Sequence, residues 1–130
     1  MPEKILVVDD EMDIRNLAKT ILEQEGYTVL LAANGLEALQ KAEHELPDLI
    51  LLDVVLPAKS GWDVCKTLKA QAKTKHIPVI IFTVLSQPLG DKVSRKYAEE
   101  SGCDGYLAKP FTRQGLLTEI RKHLPQQGKQ

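Results

Sequence analysis

The chain has 130 residues, the length of one globular domain of the commonest size. Hydrophobic residues make up 43% and charged residues 27% of the sequence, a composition that excludes an intrinsically disordered chain. The formal net charge of -1 gives no electrostatic argument for binding to nucleic acid or to a membrane surface.

The amino terminus carries one short apolar run, residues 5–8, before two aspartates. This run is too short for the core of a signal peptide or for a membrane span, so we expect the protein to stay in the cytoplasm. In that reducing compartment Cys65 and Cys103 are expected to be small buried residues. Their spacing fits neither a CxxC motif nor a Cys/His metal motif.

Five short apolar runs predict β-strands. They are rich in Val, Ile and Leu and do not alternate with polar residues, which is typical of strands that are buried on both faces. Such strands need helices above and below them. The predicted strands cover residues 5–8, 28–32, 49–54, 79–83 and 105–108.

Apolar residues at helical spacing predict five helices between and after these strands. In the first helix the apolar positions recur at i, i+3, i+4, i+7 and i+8, and Gly26 follows as a stop signal. The others are predicted over residues 36–44, after Gly61, over residues 91–100 and before Pro125. The residues predicted to face inward are Ile14, Leu17, Ala18, Ile21, Leu22, Leu39, Ala42, Val64, Cys65, Leu68, Leu116, Leu117, Ile120 and Leu124.

Alternation of five strands with five helices, without repeats or linkers, predicts an open, doubly wound parallel sheet of the α/β class. The flavodoxin-like strand order 2-1-3-4-5 fits five such units. In that order strands 1 and 3 are neighbours, and a crevice opens at their carboxyl ends. We expect one domain over residues 1–125, a mobile tail over residues 126–130 and no output domain.

Three aspartates lie at the carboxyl ends of strands 1 and 3, namely Asp9, Asp10 and Asp53. Each of them alone is explained at least as well as a helix cap or a solvated loop charge. Together they face one crevice, where two like charges about 4 Å apart repel by roughly 4 kcal/mol at an effective dielectric near 20. A hard divalent cation relieves that repulsion, and Mg²⁺ favours carboxylate oxygens and phosphate.

Two further polar residues, Thr83 and Lys109, end predicted strands 4 and 5 at the same edge of the sheet. A threonine in a strand and a lysine before a proline are ordinary when considered singly. With the aspartates they supply a carboxylate nucleophile, metal ligands, a hydroxyl and a cation. This combination of groups is typical of phosphoryl transfer.

Four short segments resemble the response regulator receiver family, in the order in which that family has them. The resemblance covers nearly the whole chain, from Lys4 to about Leu124, and the joint occurrence of the segments at nearly the family spacing makes a chance match improbable. The segments are KILVVDDE, DLILLDVVLPAKSG, PVIIFT and GYLAKPF.

The resemblance implies a role for each matching residue around the acceptor. Asp53 matches the residue that takes the phosphoryl group and also binds Mg²⁺, and Asp10 matches the direct metal ligand. Asp9 matches the acid that holds the metal through water. The main-chain carbonyl of Val55 matches the third protein ligand of the metal.

Other matching positions surround the phosphoryl group in the family. Lys109 matches the lysine that pairs with the phosphoryl oxygens, and Thr83 matches the hydroxyl that moves to bond them. Tyr106 matches the aromatic residue that turns inward when this threonine moves. Pro57 and Gly61 match the turn that shapes the loop after the acceptor.

The implied donor is a histidine kinase or a histidine phosphotransfer protein, and the implied output is a changed surface for a downstream protein target. The chain is then a two-component signalling receiver rather than an enzyme, since it promotes only its own phosphoryl transfer and slow dephosphorylation. It is expected to act as a monomer or as a phosphorylation-dependent dimer.

Three other functions remain open from the residues. One is a receiver-like adaptor that is never phosphorylated, against which the intact acidic set argues. A haloacid dehalogenase-type phosphatase needs a second acid two residues after the nucleophile, where this chain has Val55. A flavodoxin-type flavin module needs a hydroxyl-rich or glycine-rich loop after the first strand, where this chain has DDE.

The sequence departs from the family pattern after the fourth strand. Residues 83–109 form a stretch about four residues longer than is usual, with Pro88 and Gly90 marking the extra loop. Val55, Val84 and Leu85 place apolar groups where relatives carry small or polar ones. We therefore expect a different partner surface and slow loss of the phosphoryl group.

A Val55→Asn, Val84→Ala double variant is expected to lose its phosphoryl group faster than the native chain. Attack by water on an acyl phosphate needs room and a positioned polar group, and these substitutions supply both. The half-life is measured by intact mass after removal of the phosphodonor. Equal half-lives would contradict the expectation.

Overall fold

The computed structural model describes residues 3–54, 56, 60–84, 102–109 and 111–124. Within that part of the chain the elements are β1 Lys4–Val8, α1 Met12–Gln24, β2 Thr28–Ala32, α2 Gly35–Glu45, β3 Leu49–Asp53, α3 Gly61–Ala70, β4 Val79–Val84, β5 Gly105–Lys109 and α4 Arg113–His123. The five predicted strands are confirmed, each end within one residue. The helix predicted over residues 91–100 and the tail over residues 126–130 lie outside the described residues.

The five strands form one parallel sheet in the order β2-β1-β3-β4-β5, which confirms the predicted α/β fold and strand order. Val8 at the end of β1 lies opposite Leu52 of β3. Asp53 at the end of β3 lies opposite Phe82 of β4. The strand order reverses between β1 and β3, so the crevice at the carboxyl ends of these two strands is where a ligand site is expected.

Alternate side chains of the strands enter two separate apolar clusters, one on each face of the sheet. Leu49 and Leu51 pack into the cluster formed with α1 and α4. Ile50 and Leu52 pack into the cluster formed with α2 and α3. All four side chains are fully buried, which explains why β3 is continuously apolar up to its last residue.

One predicted inward residue is wrong, because Leu17 on α1 is 48% exposed. The buried residues of this helix are Ala18, Ile21 and Leu22, with Ile14 packed at the margin. At 3.6 residues per turn, Leu17 lies roughly 85° from the centre of that face. It therefore lies outside the buried face of the helix.

The other predicted inward residues of the helices pack into the two clusters, as expected. Cys65 is a buried member of the α2 and α3 cluster, whereas Leu39 and Cys103 are only partly buried against it. The two cysteines form no disulfide. None of the described helices has the length and apolar composition to span a membrane. The buried members of the predicted set are Ala18, Ile21, Leu22, Ala42, Val64, Cys65, Leu68, Leu116, Leu117, Ile120 and Leu124.

Local signals in the sequence fix the ends of the helices. Gly26 follows α1 with a φ of 93°, a left-handed conformation that glycine adopts without a steric penalty. Side-chain oxygens cap the amino-terminal ends of the next three helices. The caps accept hydrogen bonds as follows: Asn34 from the Glu37 amide, Ser60 from the Asp63 amide and Thr112 from the Gly115 amide.

A polar junction at the amino end of the sheet fixes β5 beside β4. The Asp104 amide donates to the Val79 carbonyl at 2.8 Å, and the Asp104 carboxylate accepts from the Val79 amide at 2.8 Å. The Lys69 ammonium group of α3 reaches the same carboxylate oxygen at 2.7 Å. These contacts fix the register of β5 from its first residue and thereby set the backbone position of Lys109 at the other end.

Truncation of the core at Leu51→Ala is expected to lower the free energy of unfolding by about 2–5 kcal/mol, because it leaves a cavity under a fully buried strand. The matched control is Leu36→Ala, since Leu36 is 66% exposed, and its expected change is within about 0.5 kcal/mol. Urea unfolding followed by circular dichroism measures both variants. Similar losses in the two variants would contradict this account of the core.

Candidate functional site

The register of the central strands brings three carboxylates together at the carboxyl edge of the sheet. Asp9 follows Val8, whose partner is Leu52, so Asp9 lies level with Asp53 on the neighbouring strand. Carboxylate oxygens of Asp9, Asp10 and Asp53 all lie within 4.8 Å of one another. The three aspartates singled out from the sequence therefore form one cluster.

Burial makes this concentration of negative charge costly. Asp9 is fully buried and Asp53 is 4% exposed, whereas Asp10 is exposed to solvent. Buried carboxylates are unfavourable unless a counter-charge or a metal ion compensates them. The donor set consists of carboxylate oxygens with one side open to water, which fits a hard cation such as Mg²⁺ that keeps part of its hydration shell.

Several hydrogen bonds hold Asp9, whose main-chain amide donates to the Ala32 carbonyl at 3.1 Å. Its Oδ1 accepts from the Glu11 amide at 2.8 Å, and its main-chain carbonyl accepts from the Arg15 guanidinium at 2.7 Å. Sequence reasoning did not find Arg15. Its position in the first turn of α1 was a signal, because a cation there interacts unfavourably with the helix dipole. Another favourable contact is needed to offset that interaction.

The loop after Asp53 depends on a glycine at the start of α3. The Gly61 amide donates to the Val54 carbonyl at 2.7 Å. A Cβ added at Gly61 would overlap the Asp53 carbonyl oxygen and come within 2.8 Å of the Val54 Cα. Only glycine allows this close approach, so α3 begins directly against the residue that ends β3.

Parts of the predicted site lie outside the described residues, namely Val55 and Pro57, as do the side chains of Thr83 and Lys109. The backbone of the last two is placed by the sheet. Thr83 lies opposite Ala108, one residue beyond the level of Asp53, and Lys109 lies opposite Val84. Both residues are therefore at the same edge of the sheet as the acidic cluster.

Tyr106 lies in β5 and is partly buried against the α2 and α3 cluster. Its hydroxyl oxygen is buried and has no hydrogen-bond partner among the described residues. Leaving a buried hydroxyl unpaired costs about 1–3 kcal/mol.

Comparison with known sequences identifies the chain over most of its length. Residues 5–121 match the family model of the response regulator receiver domain. The alkaline phosphatase synthesis transcriptional regulatory protein PhoP of Bacillus subtilis is 46% identical over 121 residues, which are 93% of this chain and 48% of PhoP. This chain spans about half the length of PhoP and of other curated relatives that it matches.

Solved structures give the same result for the fold. The chemotaxis protein CheY4 of Vibrio cholerae superimposes with a TM-score of 0.87 at 32% identity, over 95% of this chain and all of CheY4. The receiver domain of the sensor histidine kinase PA1611 of Pseudomonas aeruginosa gives a TM-score of 0.84 at 29% identity, over 95% of this chain and 98% of that domain. That domain has a magnesium ion coordinated in its active-site cleft.

A Gly61→Ala variant is expected to lose about 1–3 kcal/mol of unfolding free energy, because the added methyl group overlaps backbone that ends β3. Gly115→Ala in the first turn of α4 is the control. Its Cβ would meet only the Thr112 hydroxyl at 3.1 Å, and alanine favours the helix by up to about 1 kcal/mol. Urea unfolding separates the two variants, and a Gly61→Ala protein as stable as the native one would contradict the prediction.

Proposed function

This chain belongs to the response regulator receiver family, and on that premise we propose that it is a phosphorylation-dependent switch that accepts a phosphoryl group on Asp53. The observation that carries the proposal is the cluster of three carboxylates at the carboxyl edge of β1 and β3. A carboxylate nucleophile among metal-binding acids, at the switch point of a parallel sheet, suits phosphoryl transfer.

The metal of this proposal is Mg²⁺. Asp10, Asp53 and the main-chain carbonyl of Val55 are its protein ligands, and Asp9 holds it through water. The all-oxygen character of the cluster supports this choice, as does the magnesium-bound cleft of the PA1611 receiver domain. When bound, the ion neutralises negative charge on the acids and on the incoming phosphoryl group.

The proposed donor is a phosphohistidine of a histidine kinase or of a histidine phosphotransfer protein. A carboxylate oxygen of Asp53 attacks phosphorus, and a new O–P bond forms while the P–N bond breaks. The imidazole, protonated on its other ring nitrogen, takes the electron pair and leaves as the neutral ring. Lys109 pairs with the phosphoryl oxygens and the Thr83 hydroxyl bonds them. The backbone register, which puts both residues at the edge where Asp53 lies, supports these roles.

The output of the proposed switch is a changed surface around β5 and α4 for a downstream protein target. Tyr106 is the proposed reporter of Thr83 movement. The buried hydroxyl, which has no hydrogen-bond partner among the described residues, supports this role, since a side chain that is unsatisfied in one position gains from moving to another. The small net charge of the chain favours a protein target over nucleic acid.

Incubation with acetyl phosphate and Mg²⁺ is expected to add one phosphoryl group, measured as intact mass. The Asp53→Asn variant should gain none, because the nucleophile is lost. Asp63→Asn is the matched control, since Asp63 lies on the exposed side of the first turn of α3, and it should be modified like the native chain. Chelation of Mg²⁺ should abolish the gain in mass.

Two outcomes would contradict the proposal. A native chain that gains no mass under these conditions would favour the adaptor that is never phosphorylated. A phosphoryl group on the Asp53→Asn variant would place the acceptor elsewhere in the chain.

A further inference from the structure

A cavity of about 250 Å³ lies beside the acidic cluster, at the edge of the sheet formed by β2. It contains two cations and one carboxylate, carried by α1 and α2. Its lining residues are Arg15, Leu31, Ala32, Ala33, Glu37 and Lys41.

The cations of this cavity are already bonded to acceptors of the protein itself. The Lys41 ammonium group donates to the Leu31 carbonyl and pairs with the Glu37 carboxylate at 3.3 Å. The Arg15 guanidinium donates to the Asp9 carbonyl at 2.7 Å.

Glu37 supplies the negative charge that balances these cations. The hydrogen bond from the Ala33 amide, 2.8 Å long, lowers the pKa of the Glu37 carboxyl; burial opposes this effect, and the charges of Lys41 and Arg15 lower the pKa further. The carboxylate is thus ionised at neutral pH. The hydrogen bond from the Ala33 amide also fixes the Glu37 carboxylate to the backbone between β2 and α2.

The carbonyl that Arg15 binds belongs to the peptide bond between Asp9 and Asp10. A peptide unit is planar, so holding its oxygen fixes the orientation of the unit and the direction in which the Asp10 chain continues. The Glu11 amide holds the Asp9 carboxylate at the same time. The two contacts therefore act on the same short segment, which carries both acids.

We infer that Arg15 is a positioning residue for the divalent cation site, acting through the Asp9 carbonyl; this inference rests on the proposed function. It acts on the metal only through the peptide unit that carries two of the acids. Groups that orient metal ligands in this way typically contribute 10- to 100-fold, as an order of magnitude, to metal affinity.

The sign of the effect separates positioning from simple electrostatics. A cation close to the site repels Mg²⁺, so if Arg15 acted only through its charge, its removal would tighten Mg²⁺ binding. If Arg15 orients the acids, its removal weakens binding although a repelling charge is lost. A purely structural residue would change the thermal stability and leave the affinity unaltered.

The test measures Mg²⁺ affinity by isothermal titration calorimetry on the full chain. Arg15→Met, which keeps the apolar stem, is expected to raise the Kd roughly 10-fold or more. Arg15→Lys keeps a cationic donor and should fall between this variant and the native chain. Lys19→Met removes one charge from the next turn of α1, where Lys19 pairs with Glu23 at 3.2 Å, and should leave the Kd within about twofold.

A second readout is the rate of modification by acetyl phosphate. At saturating Mg²⁺ the Arg15→Met rate should return to the native value, because only the occupancy of the metal site is impaired. Far-UV circular dichroism shows whether Arg15→Met is folded. If it is unfolded, the Kd and the modification rate of Arg15→Lys test the inference instead.

The results that overturn the inference differ from those that overturn the proposed function. If the native chain binds Mg²⁺ and is phosphorylated, but folded Arg15→Met has an unchanged or lower Kd, Arg15 is not a positioning residue. The proposed function is then unaffected. A native chain that binds no Mg²⁺ removes the cation site itself.

Discussion

Repulsion among three carboxylates is the constraint on which this structure depends. Two neighbouring parallel strands end in acids at the same level, and two of those acids are buried, so the fold concentrates negative charge where burial makes it most costly. A protein gains from such an arrangement when a cation occupies the centre. Receiver domains bind Mg²⁺ at such an acidic pocket, and under the proposed function the binding of that ion offsets the cost of the cluster.

The rest of the molecule keeps the acids in place against that repulsion. Apolar clusters on both faces of the sheet fix the register of β1 and β3, and register alone puts Asp9 level with Asp53. Gly61 lets α3 start against the end of β3, and the Glu11 amide and the Arg15 guanidinium hold the segment after β1. Packing therefore sets the positions of the strands, and hydrogen bonds at their ends set the orientation of the acids.

Much of this was predictable from the sequence because strongly apolar strands have few alternatives. Residues 49–54 predict a strand buried on both faces, and the strand order then brings the aspartates together. Leu17 was misplaced because a helical repeat does not show how wide the buried face of the helix is. The bond from Arg15 to the Asp9 carbonyl depends on backbone direction in a loop, and the burial of the Tyr106 hydroxyl depends on its surroundings. Neither can be derived from spacing alone.

The central claim is that the three carboxylates form one divalent cation site, and a crystal structure of the protein grown with Mg²⁺ tests it most directly. The account predicts a single ion between Asp9, Asp10 and Asp53, with direct bonds to the last two at about 2.0–2.1 Å and water in the remaining positions. Carboxylates that turn apart with no ion among them, in a crystal that contains Mg²⁺ at high concentration, would contradict it.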